Sequence, residues 1–133
     1  MAESGRKKTV LVVEDHPDAL DILTNLLEFL GFTVIGARHG VEGVEKALKE
    51  KPELILMDIL MPLMDGREAT RKIRSNPETH DIPILATTVL YKEPEIKSCI
   101  EAGCNDCLIK PFSLKQLQGK LQEYIPSPGP TLH

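Results

Sequence analysis

Residues with reactive side chains stand at the ends of short apolar runs that are spread over the whole sequence. They are Glu14, Asp15, Asp58, Thr88 and Lys110. Three carboxylates held within a few ångströms of one another repel, so a proton or a cation must neutralise part of their charge. All-oxygen ligands favour a hard ion, and Mg²⁺ binds one or two carboxylates while keeping positions for water and phosphoryl oxygens. These residue types therefore predict a magnesium site that could take part in phosphoryl transfer.

Asp58 is the candidate nucleophile of this predicted site, since a carboxylate can form an aspartyl phosphate as a covalent intermediate. In an in-line transfer, the cation, the Lys110 ammonium and the Thr88 hydroxyl would share the charge on the equatorial phosphoryl oxygens. The chain must therefore fold so that groups from distant segments of the sequence meet in one place.

The apolar pattern alternates between short continuous runs and longer stretches in which apolar residues recur every three or four positions. Residues 10–13 are continuously apolar, which is typical of a strand covered on both faces in a parallel sheet. Pro17 suits the first turn of the helix that follows, and Gly31 can end it. Further strands are predicted at 33–35, 54–57, 84–86 and 107–109, and each is followed by a helical pattern.

Five strands alternating with five helices predict an α/β fold with right-handed crossovers and helices on both faces of the sheet. This count fits a flavodoxin-like doubly wound five-stranded parallel sheet with the order 2-1-3-4-5. Ser113 and Gln116 form a capping box before the fifth helix, and Gly103 can end the fourth. In such a sheet the ligand crevice lies beyond the carboxyl ends of the strands, where the strand order reverses. The reactive residues follow strands and are therefore predicted to meet there.

These motifs resemble those of the receiver domains of bacterial-type response regulators. The matching features occur in family order and at family spacing: the acidic pair after the first strand, the segment 58–66 (DILMPLMDG), Thr88 at a strand end, and Lys110-Pro111-Phe112. The resemblance extends over residues 9–124.

The resemblance implies a role for each residue of the site. Asp58 is the expected phosphoacceptor. The expected Mg²⁺ ligands are Asp15, Asp58, the backbone carbonyl of Leu60 and, through a water molecule, Glu14. A cis peptide bond between Lys110 and Pro111, an isomer that proline makes accessible, is expected to direct the lysine towards the acids.

The resemblance also implies a phosphorylation-controlled signalling switch of a two-component phosphorelay. A histidine kinase or a histidine phosphotransfer protein would supply the phosphoryl group, and the fourth helix, fifth strand and fifth helix would form the output face. The domain would assist its own phosphotransfer and dephosphorylation without being a turnover enzyme. The sequence does not identify the kinase or the downstream target. It is compatible with a monomer or a weak phosphorylation-dependent dimer.

Two positions depart from the family pattern. Cys107 stands where the family has an aromatic switch residue, three places before Lys110, and Val89 replaces the small residue after Thr88. A thiol cannot fill the volume of a ring, so one hypothesis is that Tyr91 supplies it. A second hypothesis is that Val89 crowds the phosphoryl site and slows attack by water. Cys107 also favours an alternative function, a constitutive interaction module that binds partners without phosphorylation.

Other functions fit the residues less well. Cys104 and Cys107 form a C-x-x-C that leads into a strand, whereas a redox pair needs a helix N-terminus and structural zinc needs four ligands. Cys99, Cys104 and Cys107 form an odd set in a chain that shows no export signal, and they are predicted to be free thiols. The histidines His16, His39, His80 and His133 lack metal-ligand spacing and are predicted at the surface. A flavin binder would need a Ser/Thr-rich phosphate loop where this chain has acids, and no Walker-type loop is present.

Length and composition indicate one domain. We predict a flexible start at 1–8, a receiver domain at 9–125 and a proline-rich tail or linker stub at 126–133. The net charge of −4 argues against nucleic acid binding. The apolar runs are far shorter than the roughly 20 residues of a membrane span, and the polar, basic start predicts a cytoplasmic location. A stand-alone regulator and a part of a longer protein both fit the sequence.

Overall fold

The structure, a computed structural model, describes residues 7–125. These residues alternate between strands and helices in the order β1 (Thr9–Val13), α1 (Pro17–Phe29), β2 (Thr33–Ala37), α2 (Gly40–Glu50), β3 (Leu54–Asp58), α3 (Gly66–Arg74), β4 (Ile84–Thr88), α4 (Glu93–Ala102), β5 (Asp106–Ile109) and α5 (Leu114–Tyr124). The predicted succession of five strands and five helices is confirmed. The predicted tail at 126–133, and all of the predicted flexible start except Lys7 and Lys8, lie outside the described residues.

The five strands form one parallel sheet in the order β2-β1-β3-β4-β5, as predicted. The order reverses between β1 and β3, where Val13 is paired with Met57. The carboxyl ends of β1 and β3 therefore lie side by side at the same edge, and the loops after them border the crevice that such a reversal creates.

Several strands are longer than the apolar pattern indicates. β2 continues through Gly36 and Ala37, which pair with the end of β1 although glycine and alanine are weak strand formers. β4 continues through Thr87 and Thr88. The ladder of a parallel sheet is formed by backbone groups, so polar and small residues extend a strand when its neighbour is already in place.

Side chains of the central strands alternate between two apolar layers. On one face Leu11, Ile55 and Met57 pack with residues of α2, α3 and α4. On the other face, Val12, Leu56 and Leu85 pack with α1 and α5. Burial of each such side chain stabilises the fold by roughly 1.5–3 kcal/mol. Both faces of the sheet are thus covered, which explains why the strands read as continuous apolar runs.

The ends of the helices follow the predicted signals. Ser113 and Gln116 make both bonds of the capping box at α5. Gly31 follows the end of α1 with φ of 97°, and Gly103 ends α4 with φ of 120°, in a region that favours glycine. Within residues 7–125, no helix has the length and apolar character needed to span a membrane.

Candidate functional site

Three carboxylates gather at the carboxyl edge of the sheet. Glu14 and Asp15 directly follow β1, and Asp58 is the last residue of β3. Each offers one carboxylate oxygen, and these oxygens all lie within 4.8 Å of one another. Glu14 is 2% exposed and Asp58 5% exposed, while Asp15 is partly exposed. The predicted meeting of the three acids is observed, and their donor set suits a hard divalent cation.

Lys110 faces the same acids from the end of β5. Its Nζ donates to Oε1 of Glu14 at 3.0 Å and to Oδ1 of Asp58 at 3.4 Å. The peptide bond between Lys110 and Pro111 is cis, as the resemblance implied. The Lys110 amide also donates to the Thr88 carbonyl at 2.8 Å, which holds the end of β5 against the end of β4. Lys110 is therefore fixed by its backbone and its side chain at the site.

The protonation of the site reflects burial and an excess of negative charge. Burial is the main cause that raises the pKa of Asp58 to about 7; the Lys110 ammonium opposes this and the Glu14 carboxylate adds to it. Burial also disfavours the charge on Lys110, but its hydrogen bond to Glu14 and the charge of Asp58 outweigh burial, so the pKa of Lys110 is raised. One ammonium faces three carboxylates, and a bound cation would return Asp58 to its ionised form.

Thr88 is the last residue of β4 and is buried at the same edge. Its hydroxyl oxygen accepts the amide of Leu90 at 3.0 Å, which leaves the hydroxyl proton free to be donated. On the neighbouring strand, Asp58 is paired with Thr87. The predicted placement of Thr88 at the carboxyl edge is thus observed, and its role towards a phosphoryl group stays a prediction.

The β3–α3 loop, residues 59–65, directly follows Asp58. The Ile59 amide donates to the Thr87 carbonyl at 3.1 Å, and the Gly66 amide returns to the Ile59 carbonyl at 2.9 Å. Leu60 is exposed within this loop, two residues beyond Asp58. Its position in the chain is that of the expected carbonyl ligand, and that role stays a prediction.

The positions that depart from the family pattern differ in exposure. Cys107 is partly buried, and burial raises the pKa of its thiol to about 12. Val89 is 55% exposed and Tyr91 69% exposed in the loop between β4 and α4. The Tyr91 ring is therefore largely in solvent in this structure, and its proposed replacement of the family aromatic is untested.

The C-x-x-C pair shows no feature of a redox site. The three cysteines are free thiols, as predicted. The Cys104 thiol lies 3.6 Å from the Thr70 hydroxyl, and burial raises its pKa to about 11. A reactive pair needs lowered thiol pKa values, which is the opposite of what burial produces here.

The histidines within residues 7–125, His16, His39 and His80, are exposed, as predicted. The sequence did not reveal that His39 caps α2, where its Nδ1 accepts the Glu42 amide at 3.2 Å. His16 is the N-cap of α1, and its backbone amide donates to Oε2 of Glu14 at 3.2 Å. His133 lies outside the described residues.

An apolar groove next to the acids was also not predicted. It has a volume of about 430 Å³ and lies between α1 and the β5–α5 connection. Its apolar lining includes Ile22, Leu26, Val89, Pro111 and Phe112, and Glu14 and Lys110 line it as well. One residue in the sequence could have indicated this groove: Ile22 is apolar but lies outside the spacing that marks the buried face of α1.

A sequence profile of the response regulator receiver domain matches residues 10–122. That match spans most of the chain. The chain belongs to the response regulator receiver domain family. Both the fold and the acidic cluster of this receiver domain are consistent with that membership.

Related proteins extend the comparison. The response regulator MprA of Mycobacterium ulcerans is 35% identical over 116 residues, which cover 87% of this chain and 49% of MprA. The polar-differentiation response regulator DivK of Brucella anthropi is 30% identical over 118 residues, which cover 89% of this chain and 96% of DivK. The receiver domain thus spans about half the length of MprA and nearly all of DivK.

A solved structure shows the same architecture. The receiver domain of a sensor histidine kinase from Pseudomonas aeruginosa superposes with a TM-score of 0.84 at 34% identity, covering 90% of this chain and 98% of that one. It is described with a magnesium ion coordinated in the active site cleft. The acidic cluster of the present chain is compatible with the same kind of ion.

Proposed function

We propose that this receiver domain accepts a phosphoryl group on Asp58 and thereby switches a protein–protein interaction surface. The observation that carries the proposal is the grouping of Asp58 with Glu14, Asp15 and Lys110 at one edge of the sheet. A buried carboxylate among two acids and one ammonium has little structural value by itself, because burial of unbalanced charge costs free energy. A role in binding a cation and a phosphoryl group accounts for it.

The proposed donor is a phosphohistidine of a histidine kinase or of a histidine phosphotransfer protein. An oxygen of Asp58 attacks phosphorus, the bond between phosphorus and the imidazole nitrogen breaks, and the imidazole takes up a proton. Lys110 and the Thr88 hydroxyl stabilise the charge that spreads over the phosphoryl oxygens. Hydrolysis of the aspartyl phosphate returns the domain to its starting state, so the domain assists its own phosphotransfer and dephosphorylation without being a turnover enzyme.

Mg²⁺ is the proposed cofactor, because the donor set of carboxylate oxygens fits a hard ion. Asp15, Asp58 and the Leu60 carbonyl would hold it, with Glu14 assisting through water. When bound, the cation supplies positive charge for the phosphoryl oxygens and keeps Asp58 ionised. Lys110, already paired with Glu14, then remains available to the incoming group.

A protein donor is supported by the apolar groove beside the acids. Ile22 is 59% exposed on α1 and borders this groove together with Val89 and Phe112. A small phosphodonor has no use for such a surface, whereas a protein partner could bury it while presenting its phosphohistidine at Asp58. The downstream target is not indicated by these residues.

The remaining proposals concern the setting of the domain. We place the receiver domain at residues 9–125 and propose that it acts in the cytoplasm, as a monomer or a weak phosphorylation-dependent dimer. Contact with nucleic acid or a membrane by this domain is not expected. The net charge of −4 supports the first of these expectations.

The test is phosphorylation by a small donor. The protein is incubated with Mg²⁺ and acetyl phosphate and followed by intact mass. We expect the gain of one phosphoryl group, its loss in Asp58→Asn and on chelation of Mg²⁺, and an unchanged gain in Asp18→Asn, which alters an exposed acid of α1. A chain that is never modified, or one that is modified equally in Asp58→Asn, would refute the proposal.

A second candidate is a receiver-like module that binds its partner without phosphorylation. Cys107 favours this function, because a thiol stands where the family has an aromatic ring. The ring that would change position on phosphorylation is therefore absent. The same experiment separates the two functions, since the module would gain no mass with acetyl phosphate under any condition.

A further inference from the structure

The backbone of Asp58 is in direct contact with the start of α3. Gly66, the first residue of α3, donates its amide to the Ile59 carbonyl at 2.9 Å. A Cβ at Gly66 would overlap the carbonyl oxygen of Asp58, so the helix approaches this strand as closely as a backbone can. Because packed interiors do not absorb small displacements, movement of the Asp58 backbone reaches the first turn of α3.

Asp65 and Arg67 stand on either side of Gly66. One oxygen of Asp65 accepts the amides of Arg67 at 2.9 Å and Glu68 at 3.1 Å and so caps α3. The other oxygen accepts a hydrogen bond from the Arg67 guanidinium at 3.1 Å. The guanidinium is therefore oriented by the same residue that begins the helix.

The same guanidinium reaches α4. Its Nη1 donates to the Ser98 hydroxyl at 2.9 Å, and the Ser98 hydroxyl donates to the Glu95 carbonyl at 2.7 Å. Both hydrogen bonds are partly buried. Lys92, the N-cap of α4, makes no side-chain capping bond, so the contact with Arg67 holds a helix whose beginning lacks a side-chain cap.

We propose that Asp65, Arg67 and Ser98 form a relay that couples the state of Asp58 to the position of α4, with Arg67 as the positioning residue. The inference rests on the proposed phosphorylation of Asp58. On the β5 side of α4, Cys107 offers only a weak thiol donor. The bond from Arg67 has a charged donor and is roughly twice as strong as a neutral hydrogen bond. The α3 side thus provides the firmer mechanical link.

The relay is tested with beryllofluoride and Mg²⁺, which mimic a phosphoryl group on Asp58. Amide chemical shifts are measured by NMR at Lys110 near the site and at Ile96 and Ile100 in α4. Wild-type protein is expected to respond at both places. In Ser98→Ala, which favours helix and keeps the Asp65–Arg67 pair, the response at Lys110 stays as in wild type, and that of α4 falls about two-fold or more.

Three further variants separate the relay from other effects. Arg67→Met is expected to reduce the α4 response as Ser98→Ala does, and Ser98→Thr, which keeps the hydroxyl, to retain it. Arg71→Met alters an exposed arginine of the same helix and is expected to leave the response unchanged.

Undiminished α4 shifts in both Ser98→Ala and Arg67→Met overturn the relay, as does an α4 response that Ser98→Thr fails to retain. In each of these outcomes Lys110 still responds to beryllofluoride, so the proposed function stands and only the relay is refuted. If the proposed function is wrong, the wild-type protein does not respond at Lys110, and both proposals are refuted.

Discussion

The Lys110 ammonium hydrogen-bonds Glu14 at 3.0 Å, a shorter contact than the 3.4 Å that separates it from Asp58. Lys110 therefore compensates Glu14 first and leaves the Asp58 carboxylate only partly balanced. This division of charge suits a residue that must bind a cation and attack phosphorus. Burial, the main cause, and the nearby Glu14 carboxylate raise the pKa of Asp58 to about 7 although this ammonium opposes the shift.

Replacing Lys110 with Met is expected to slow phosphorylation by acetyl phosphate about 10²-fold, because one preorganised cation that stabilises the transferring oxygens is lost. The rate is obtained from the growth of the phosphorylated mass with time at saturating Mg²⁺. Lys115→Met, at an exposed position of α5, is the matched control and is expected to react at the wild-type rate. Equal rates for both variants would contradict a role for Lys110.

Asp58 is expected to destabilise the fold at neutral and higher pH in the absence of divalent cations. Burial raises its pKa from 3.8 to about 7 in the folded state. Folding therefore favours the protonated carboxyl group of Asp58. The folding stability that this protonated group contributes is fully present below the unfolded pKa and is lost as the pH rises through about 7. Asp58→Asn is therefore expected to raise the free energy of unfolding at pH 8 by roughly 2–4 kcal/mol.

Urea unfolding at pH 4 and pH 8 in the presence of a chelator measures this difference. At pH 4 the gain in Asp58→Asn is expected to vanish, because the folded wild-type protein is then protonated at this residue. A gain of the same size at both values of pH would show that the substitution acts through packing and not through the carboxylate charge.

Magnesium is expected to raise the unfolding temperature of the wild-type protein. An ion that binds only the folded state stabilises it by about 2.7 kcal/mol when its free concentration is about 100 times Kd. Asp15→Asn removes one of the three grouped carboxylates and is expected to abolish most of this stabilisation, whereas Asp18→Asn is expected to retain it. Calorimetric scans with and without Mg²⁺ provide the measurement, and a shift that persists in Asp15→Asn would place the ion elsewhere.

The sequence was sufficient for the fold and for the meeting of the acids. The period of the apolar residues identifies strands and helices, and the topology of a doubly wound sheet brings the ends of β1 and β3 together. Glu14 and Asp58 are 44 positions apart in the chain (58 minus 14), yet both directly follow or end such a strand. Their proximity is a consequence of topology and needs no knowledge of side-chain packing.

The contacts between helices could not be predicted from the sequence in the same way. The bond from Arg67 to Ser98 depends on how α3 and α4 are rotated about their axes, and no periodicity encodes which arginine meets which serine. The overlap that requires glycine at position 66 depends on the distance between a helix and a strand. The end of β2 at Gly36 and Ala37 was likewise not predicted as strand, because glycine and alanine are weak strand formers outside an existing ladder.

Substitutions of Tyr91 test whether its ring, in the loop between β4 and α4, takes the role of the aromatic residue that is absent at position 107. If its ring reports phosphorylation, Tyr91→Ala is expected to lose most of the beryllofluoride-induced amide shifts in the loop between β4 and α4, while Lys110 still responds. Tyr91→Phe keeps the ring and is expected to behave as wild type. Because Tyr91 is 69% exposed, neither variant should unfold the protein. Unchanged loop shifts in Tyr91→Ala would rule the hypothesis out.

Substitutions of Val89 test whether this side chain slows hydrolysis of the aspartyl phosphate. Val89 directly follows Thr88, and its side chain lines the same groove as Glu14 and Lys110. We therefore expect it to restrict the approach of water to the phosphoryl group. Val89→Ala is expected to speed dephosphorylation several-fold, because a smaller side chain admits water to the in-line position. The rate is measured as loss of the phosphorylated mass after acetyl phosphate is removed. Val89→Ile is the opposing variant and is expected to slow the same step; a common rate for all three proteins would show that Val89 does not shield the site.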